Sequence, residues 1–311
     1  MTLSVAVAGC GGGGTDRTFI NIGTAPPGGA FFVVGSALSE VLGGATTDRG
    51  WQVAAEATSG SQENIRRLTQ GELDFALSNS AITYFAVRGG EGWDREYPMR
   101  TVMTLAPNVA LFIAPAGGSV KTIADLKGKR VVIGPAGAGF EYFVKPILTA
   151  HGVGYEDFTP LNATQQASVD MLADGSAAAV FLGGAIPTAS ITQAASSQTI
   201  HFVPFDADVT ARLSKEFLFF SPATIPAGTY RGQDTAFHGL DVGSMHLITS
   251  ADQDETLVYD VTKLLYELRE QVVAKHPAGR AINPKNVVRD TGTAFHPGAI
   301  RYYREIGIWP N

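Results

Sequence analysis

Four glycine-rich turns are the segments of this sequence best suited to bind a small molecule. They span residues 27–31, 58–62, 136–140 and 183–187, and each lies where an apolar strand pattern gives way to a helix pattern. A glycine turn at a helix start exposes backbone N–H groups without partners, at the positive end of the helix dipole. These turns therefore predict binding of a carboxylate or another anion, and the alternative for each is a tight turn without a ligand.

One of the turns is also comparable to a dinucleotide-binding loop. Gly137 and Gly139 follow a strand in a Gly-x-Gly arrangement, and Asp157 comes later in the chain. The third glycine of that motif, which lets helix and strand pack closely, is replaced by Tyr142. A Gly-x-Gly alone is a weak signal, so we predict that the protein uses no cofactor.

The residues that usually support metal or catalytic chemistry are scattered. The six histidines do not pair at metal-ligand spacing, and no His-Glu-x-x-His, Gly-x-Ser-x-Gly or Walker A motif occurs. Glu63 and Glu141 are the only obvious carboxylates beside the turns, and both also fit as helix-start residues favoured by the dipole. We therefore predict no metal site and no catalytic residue. The alternative to a binding protein is an enzyme or a sensor on the same fold.

The four turns belong to two similar α/β units. Residues 23–80 and residues 134–184 each read as a strand, a glycine turn, a helix, a helix ended by glycine, and an apolar strand. Ligands of open α/β sheets bind beyond the carboxyl ends of the strands, where such turns lie. Two units of this kind therefore predict two lobes whose loops face a shared cleft.

The boundaries of these lobes follow from composition and turn signals. We predict a leader and glycine-rich tether over residues 1–17, a first lobe formed by 18–115 with 225–311, and a second lobe over 116–224. The fold class is α/β, with a mixed sheet flanked by helices in each lobe and a hinge between the lobes.

Several segments carry specific predictions within this frame. The fully apolar residues 109–115 predict a strand in the middle of a sheet. The proline-rich segment 217–230 predicts the connection back to the first lobe, and residues 239–249 predict one strand. Residues 256–273 have apolar positions at helical spacing and predict one amphipathic helix, and Pro297 suits the first turn of a last helix.

Length and composition limit the classes of function. The chain has 311 residues, of which 45% are hydrophobic and 17% charged, so it can bury a large core. The net charge is −6 and no basic cluster occurs, which argues against nucleic-acid binding. No apolar run is long enough to predict a membrane-spanning helix.

The one cysteine, Cys10, excludes a disulfide within the chain. It follows the small apolar residues Val7-Ala-Gly9 and precedes a run of four glycines, an arrangement similar to the lipobox of a bacterial lipoprotein. Only nine residues precede it and none is Lys or Arg, which departs from a complete signal peptide. We predict lipidation of Cys10, and the alternative is an ordinary cysteine in an apolar start.

Several segments of the sequence fit one known pattern. They are Ile22-Gly-Thr with Gly28-Gly29, Ser-Gly-Ser-Gln-Glu-Asn-Ile at 59–65, Gly-Glu-Leu-Asp-Phe-Ala at 71–76, Ile-Ala-Asp-Leu-Lys-Gly-Lys-Arg-Val at 123–131, Ile-Pro-Ala-Gly-Thr-Tyr at 225–230 and His-Pro-Gly-Ala at 296–299. In these segments the sequence closely resembles the TAXI family of TRAP-transporter solute receptors, and the resemblance extends over residues 18–309. The segments at 225–230 and 296–299 are specific for that family.

The resemblance implies a type II periplasmic-binding-protein fold, in which two lobes close on a solute. It also implies delivery of that solute to a membrane permease driven by an ion gradient, and a periplasmic or extracytoplasmic location. Ligands of the family are small carboxylates such as glutamate or 2-oxoglutarate. We expect a monomer that binds a small-molecule carboxylate, a TRAP-type permease and no nucleic acid.

Departures from the family pattern are concentrated in the predicted cleft. The first turn has Ala-Phe-Phe at 30–32 where the family usually has Thr-Tyr-Tyr, and the turn at 137–141 has Ala and Phe where the family commonly has Ser and Thr. Pro26-Pro27 and Asn79-Ser80-Ala81 also differ from the family. A site built to bind ligand hydroxyl or ammonium groups would keep its polar partners. We therefore predict a carboxylate with a more apolar body than glutamate.

The predicted ligand-binding residues come from both lobes. In the first lobe they are Gly28, Gly29, Ala30, Phe31, Ser59, Gly60, Ser61, Asn79 and Tyr84, and in the second lobe they are Gly137, Ala138, Gly139, Phe140 and Gly183.

Overall fold

The computed structural model describes residues 17–27, 29–90 and 92–310. Its strands are β1 (Thr18–Gly23), β2 (Trp51–Glu56), β3 (Phe75–Asn79), β4 (Met99–Thr104), β5 (Val109–Pro115), β6 (Arg130–Gly134), β7 (Thr159–Asn162), β8 (Ala179–Gly184), β9 (Ile200–Phe202), β10 (Phe220–Ile225), β11 (Phe237–Val242) and β12 (Met245–Ser250). Its α-helices are α1 (Ala30–Ala45), α2 (Ser61–Thr69), α3 (Ser80–Ala86), α4 (Glu141–Ala150), α5 (Gln165–Ala173), α6 (Ala189–Ser197), α7 (Ala207–Glu216), α8 (Glu255–Glu267), α9 (Arg269–Lys275) and α10 (Pro297–Glu305).

The strands form two mixed sheets. The first has the order β2-β1-β3-β12-β4, with β1 parallel to its neighbours and β12 antiparallel to both of its own. The second has the order β10-β11-β5-β8-β6-β7, and β9 also pairs with β5. We call the first sheet with α1–α3 and α8–α10 lobe 1, and the second sheet with α4–α7 lobe 2. The predicted α/β class with two mixed sheets and flanking helices is confirmed.

The repeated unit is visible in the order of the strands. In lobe 1, β1 lies between β2 and β3 and is parallel to both. In lobe 2, β6 lies between β7 and β8 and is parallel to both. Each unit therefore places its strand–helix turns at one edge of its sheet, because the carboxyl ends of parallel strands lie together.

The chain passes between the sheets twice, and not where the sequence predicted. The crossings are the segments 105–108 and 243–244, so strands β5, β10 and β11 belong to the second sheet. The lobe boundaries predicted at 115/116 and 224/225 differ from these crossings. The proline-rich segment 217–230 does not lead back to lobe 1, because it contains the edge strand β10, and an edge strand tolerates proline.

Two predicted elements are each divided into two. The single strand expected over 239–249 is interrupted by Gly243, whose φ of 110° lies in a region that favours glycine, and its halves join different sheets. The single helix expected over 256–273 is divided at Leu268 into α8 and α9. The predictions of a central strand at 109–115 and of a helix starting at Pro297 are confirmed.

The lobes are packed directly against each other in this structure. One core cluster contains Ile82 and Trp93 of lobe 1 together with Phe143 of lobe 2. The side-chain amide of Gln62 in lobe 1 also donates to the hydroxyl of Tyr142 in lobe 2 at 3.2 Å. The described conformation is therefore one in which the lobes are closed on each other.

Candidate functional site

A cavity of about 350 Å³ lies between the two lobes. Its lining comes from both repeated units, from the first chain crossing, and from residues 185–193 and 276. The residues that line it are Ala25, Pro26, Pro27, Gly29, Ala30, Phe31, Val33, Ser59, Gly60, Ser61, Asn79, Ile82, Asn108, Pro135, Ala138, Phe140, Phe143, Thr164, Gln165, Gln166, Gly183, Gly184, Ala185, Pro187, Thr188, Ala189, Ser190, Gln193 and His276. Its volume suits a small organic molecule.

Besides the seven-residue α3, which begins after Asn79, five helices of nine or more residues begin at the wall of this cavity. The residues that precede their first turns are Gly29 for α1, Gly60 for α2, Phe140 for α4, Thr164 for α5 and Thr188 for α6, and all five line the cavity. Apart from the one before α5, none of these residues caps its helix with a side-chain hydrogen bond. First-turn N–H groups have no carbonyl partner inside their helix, so the wall is rich in backbone donors and positive dipole ends.

The charged side chains near the turns are used elsewhere. No Lys, Arg, Asp or Glu is among the described residues that line the cavity. Glu63 accepts a hydrogen bond from the backbone N–H of Ser59 and forms an ion pair with Arg67. Glu141 lines a different groove between the lobes, on the side of Tyr142. A negative solute in this cavity would therefore meet N–H groups and hydroxyls rather than charged side chains.

His276 is the one ionisable side chain in the described lining, and sequence analysis missed it. It follows α9 and its Nδ1 accepts a hydrogen bond from the backbone N–H of Ala278 at 3.1 Å. Nδ1 as an acceptor places the proton of the neutral ring on Nε2. Burial lowers the pKa of His276, which favours the neutral form at pH 7.

Much of the remaining wall is apolar. Phe31 and Val33 of α1 line it from lobe 1, and Phe140 and Phe143 line it from lobe 2. Ala138 lies opposite Gly60, because a Cβ built on Gly60 would be 3.8 Å from the Ala138 Cβ. The four aromatic and aliphatic side chains offer contact to a ligand body without polar groups.

Most of the predicted site residues are brought together by this cavity. Those that line it are Gly29, Ala30, Phe31, Ser59, Gly60, Ser61, Asn79, Ala138, Phe140 and Gly183. Gly28 and Cys10 lie outside the described residues. Three predicted residues are placed elsewhere: Gly137 lines the groove beside Tyr142, Gly139 packs against lobe 1, and Tyr84 lies in an aromatic cluster.

Gly139 has a packing role at the lobe contact. Its φ is 87°, and a Cβ at this position would lie 2.9 Å from Ile82 Cδ1 and 3.2 Å from Gln62 Cγ in lobe 1. The absence of a side chain therefore allows the lobes to approach each other, beside the cavity and not within it.

Tyr84 belongs to what we call the interlobe aromatic cluster, which consists of Tyr84, Phe85, Trp93, Tyr142, Phe217 and Phe219. The first three rings come from lobe 1 and the last three from lobe 2. Phe85 stacks on Tyr142 with ring centroids 5.5 Å apart, and Tyr84 contacts Phe219 edge to face at 5.1 Å. Offset and edge-to-face pairs of this kind stabilise contacts beyond the area they bury. The cluster holds the lobes together outside the cavity.

The two chain crossings are tied together by a buried carboxylate. Asp241 is 1% exposed and accepts hydrogen bonds from the Asn108 backbone N–H at 3.0 Å, from the Ser244 hydroxyl and from Arg289 at 3.3 Å. Burial raises the pKa of the Asp241 carboxyl, and these donors oppose that effect. Asp241 thereby connects both crossings with the C-terminal part of lobe 1.

His246 lies next to the second crossing and is fully buried. Its Nε2 is 2.9 Å from the hydroxyl of Thr83, and burial together with the charge of Arg289 lowers its pKa to about 3. The imidazole is therefore neutral at pH 7 and part of the core.

Other residues of the lining that sequence analysis missed are polar groups of lobe 2 and of the first crossing: Asn108, Thr164, Gln165, Thr188, Ser190 and Gln193. Thr164 and Thr188 were detectable in principle, since a threonine before an apolar helical pattern is an N-cap signal. Asn108 carries no such signal, because its position depends on how two distant crossings meet.

The fold can be compared with solved structures. The chain is similar to the periplasmic aliphatic sulphonate binding protein SsuA from Escherichia coli, with 14% identity, coverage of 95% of this chain and 84% of that one, and a TM-score of 0.53. A structure described as a periplasmic transporter has 14% identity, coverage of 94% and 93%, and a TM-score of 0.52. The effector-binding domain of a BenM variant has 14% identity, coverage of 84% and 97%, and a TM-score of 0.50.

The two lobes, their sheets and these similarities define the fold of the periplasmic binding proteins, as the resemblance implied. The NMT1-like family matches residues 22–307, and the chain belongs to this family. In the described residues, no helix is long and apolar enough to cross a membrane, and no group of three or more His, Cys, Asp or Glu side chains could hold a metal ion.

Proposed function

We propose that this protein is the extracytoplasmic solute receptor of a TRAP-type secondary transporter and belongs to the TAXI family. It captures a small carboxylate with a relatively apolar body by closure of its lobes and delivers this solute to a membrane permease. Solute binding stabilises the closed state, and the permease recognises that state. The protein is not an enzyme in this proposal and needs no cofactor.

One observation carries the proposal: the starts of five helices of nine or more residues surround an interlobe cavity whose described lining has no Lys, Arg, Asp or Glu. Backbone N–H groups at helix starts stabilise an anion without a cationic partner. An ammonium group has no carboxylate to pair with in this lining, which disfavours amino acids. Phe31 and Phe140 instead offer surface to an apolar body.

The ligand-binding residues of the proposal are the predicted residues that line the cavity, with His276 and Asn108 added. We propose that the first-turn N–H groups of α1 and α2 on one side, and those of α6 on the other, hold the carboxylate. The hydroxyl of Ser61 accepts from the Asn79 N–H at 3.0 Å and keeps its own hydrogen for the ligand.

The solute class can be tested on the protein as purified. Native mass spectrometry without prior denaturation should show a bound small acid. Calorimetry with phenylacetate, 4-methylpentanoate, glutamate, 2-oxoglutarate and hexanesulphonate should then show tightest binding for one of the first two. Tight binding of glutamate with no binding of phenylacetate or 4-methylpentanoate would contradict the proposed class, and preference for hexanesulphonate would replace carboxylate by sulphonate.

The TRAP-type partner rests on the sequence resemblance to TAXI receptors. We expect the receptor to support uptake into vesicles that contain its permease when an ion gradient is imposed and ATP is absent. Uptake that requires ATP hydrolysis would contradict this partner while leaving the solute-binding role intact.

We further propose an extracytoplasmic monomer anchored through a lipid on Cys10. Cys10→Ala should release the protein from the membrane fraction into the soluble extracytoplasmic fraction. Equal distribution of the two proteins would contradict the anchor.

A further inference from the structure

Asn108 is a buried polar side chain whose amide has no partner among the described residues. It lies in the first chain crossing, is only 8% exposed and lines the cavity. The hydrogen bonds of this residue come from its backbone: its N–H donates to Asp241 at 3.0 Å and its carbonyl accepts from the Val242 N–H at 2.9 Å. The amide faces the cavity, so its hydrogen-bond partner is either water in the open cavity or a polar group of a bound solute.

The side-chain amide of Asn79, which also lines the cavity, has hydrogen-bond partners within the protein. Its Nδ2 donates to the carbonyl of Gly243 at 2.8 Å, and its Oδ1 accepts from the N–H of Ala81 at 2.8 Å. The Asn79 side chain therefore supports the second crossing and the start of α3. Of these two asparagines, Asn108 has the amide that is available to a solute.

The position of Asn108 couples this amide to the relative placement of the lobes. The crossing that carries it leads directly into β5 of lobe 2, and its backbone is bonded to the end of β11. A solute group bonded to the Asn108 amide would contact the segment about which the lobes move. Solutes with and without that group would then differ in how well they stabilise closure.

We propose that Asn108 is a specificity-determining residue that pairs with a neutral polar group of the solute. An amide both donates and accepts, so the matching group is a hydroxyl or an amide. The solute is therefore a monocarboxylate with two features, an anionic end at the helix starts and a neutral hydrogen-bonding group near the hinge. This inference rests on the proposed function, because it requires a carboxylate in the cavity.

Matched acids that differ by one hydroxyl test the inference in the wild-type protein. Calorimetry compares mandelate with phenylacetate and 2-hydroxy-4-methylpentanoate with 4-methylpentanoate, using both enantiomers of each hydroxy acid. One enantiomer should bind about tenfold more tightly than its parent acid, the size expected of one satisfied buried hydrogen bond. In Asn108→Ala this ratio should fall to about one, whereas Gln70→Ala, a change at an exposed amide, should retain it.

The other outcomes of this experiment would refute either the role of Asn108 alone or the solute class as well. If the parent and hydroxy acids bind equally to the wild type, or if Asn108→Ala keeps the wild-type ratio, the role of Asn108 is wrong and the proposed solute class stands. If none of the four acids binds, the solute class is wrong and the role of Asn108 is wrong with it. Because the wild-type comparison needs no variant, misfolding of Asn108→Ala would leave the inference open to refutation.

Discussion

The cavity and the interlobe aromatic cluster lie between the same two lobes, but they are built differently. The cavity is surrounded by helix starts, hydroxyls and glycine turns, with a few apolar side chains. The aromatic cluster is filled by six rings in mutual contact, such as Phe85 on Tyr142. The cavity leaves space and backbone N–H donors for a ligand, whereas the aromatic cluster is filled by its own rings. The lobes can therefore be held closed at one place by protein contacts and at the other by a solute.

This difference explains why the sequence predicted Tyr84 as a ligand-binding residue although it lies in the aromatic cluster. An aromatic residue near a helix start has the same sequence signature whether it stacks on a ligand or on other rings. Tyr84 packs against Phe219 of lobe 2, and the guanidinium of Arg88 lies 3.6 Å from its ring centroid. Because Phe219 is distant in sequence and belongs to the other lobe, only the tertiary structure distinguishes the two roles.

The largest effect is expected from filling the cavity. Ala138 is 6% exposed and lies opposite Gly60, so the ring of Ala138→Phe would occupy solute space or prevent closure. Affinity for the tightest-binding monocarboxylate should fall at least about 100-fold, or ~2.7 kcal/mol, in calorimetry. Ala173→Phe, at an exposed position of lobe 2, is the matched control. Unchanged affinity in Ala138→Phe would remove this turn from the site.

Truncation in the aromatic cluster should act on closure instead. Phe85→Ala removes ring contacts to Tyr142, Phe217 and Phe219, and should lower the free energy of unfolding by about 2 kcal/mol, because the ring is only partly buried. Small-angle X-ray scattering of the unliganded variant should give a larger radius of gyration than the wild type. Phe19→Ala, where the side chain is 64% exposed, should change neither quantity. An unchanged radius for Phe85→Ala would show that the cluster does not hold the lobes closed.

The buried side chain of His246, next to the second chain crossing, predicts a pH dependence of stability. The pKa of His246 is lowered to about 3 in the folded protein, so below its ordinary value of about 6.5 the unfolded chain takes up a proton that the folded protein does not. Stability should therefore fall as pH falls. From pH 7.5 to pH 5 this residue should account for a loss of about 2 kcal/mol in the free energy of unfolding.

Urea unfolding of the wild type and His246→Gln across this range measures the effect. The wild type should lose about 2 kcal/mol more than the variant between the two pH values. The exposed His238→Gln is the control and should follow the wild type. Parallel curves for the wild type and His246→Gln would mean that His246 protonates equally well in the folded state.

The smallest effect is expected when the affinity for the solute is measured at different pH values. The described lining has no Lys, Arg, Asp or Glu, and the pKa of His276 is lowered by burial, so no lining side chain should titrate between pH 7 and pH 8.5. Affinity for a monocarboxylate should stay within about twofold over that range, because its own pKa lies far below it. A tenfold change per pH unit would show that an ionising side chain contacts the solute.

The sequence predicted the parts of this structure that depend on local rules. Strand, glycine turn and helix recur with recognisable signals, and the two repeats therefore predicted the two parallel β-α-β units and their facing turns. Local rules did not predict where the chain crosses between lobes. The crossing at Gly243 looks like the continuation of a strand. Its role depends on the Asn79 side chain, which donates to the Gly243 carbonyl, and on the Met245 N–H, which donates to the Ala106 carbonyl.

The parts of the candidate site that escaped prediction share a cause. Asn108 and His276 reach the cavity only because distant segments pack beside it, and neither has a local motif. Gly137 and Gly139 were placed in the site because their turn has the right signature, but the turn presents Ala138 to the cavity and Gly139 to lobe 1. A turn can be recognised from sequence, whereas the direction of each of its residues depends on the opposite lobe.

In the proposed function, a carboxylate binds at the helix starts between the lobes. Backbone amide NMR of the wild type, titrated with phenylacetate and 4-methylpentanoate, locates the bound acid residue by residue. We expect the largest saturable shifts at the first-turn amides of Ala30, Phe31, Ser61 and Ala189, one set from each lobe. Shifts confined to the groove around Tyr142, or none at these amides at saturation, would show that the carboxylate does not bind at the helix starts.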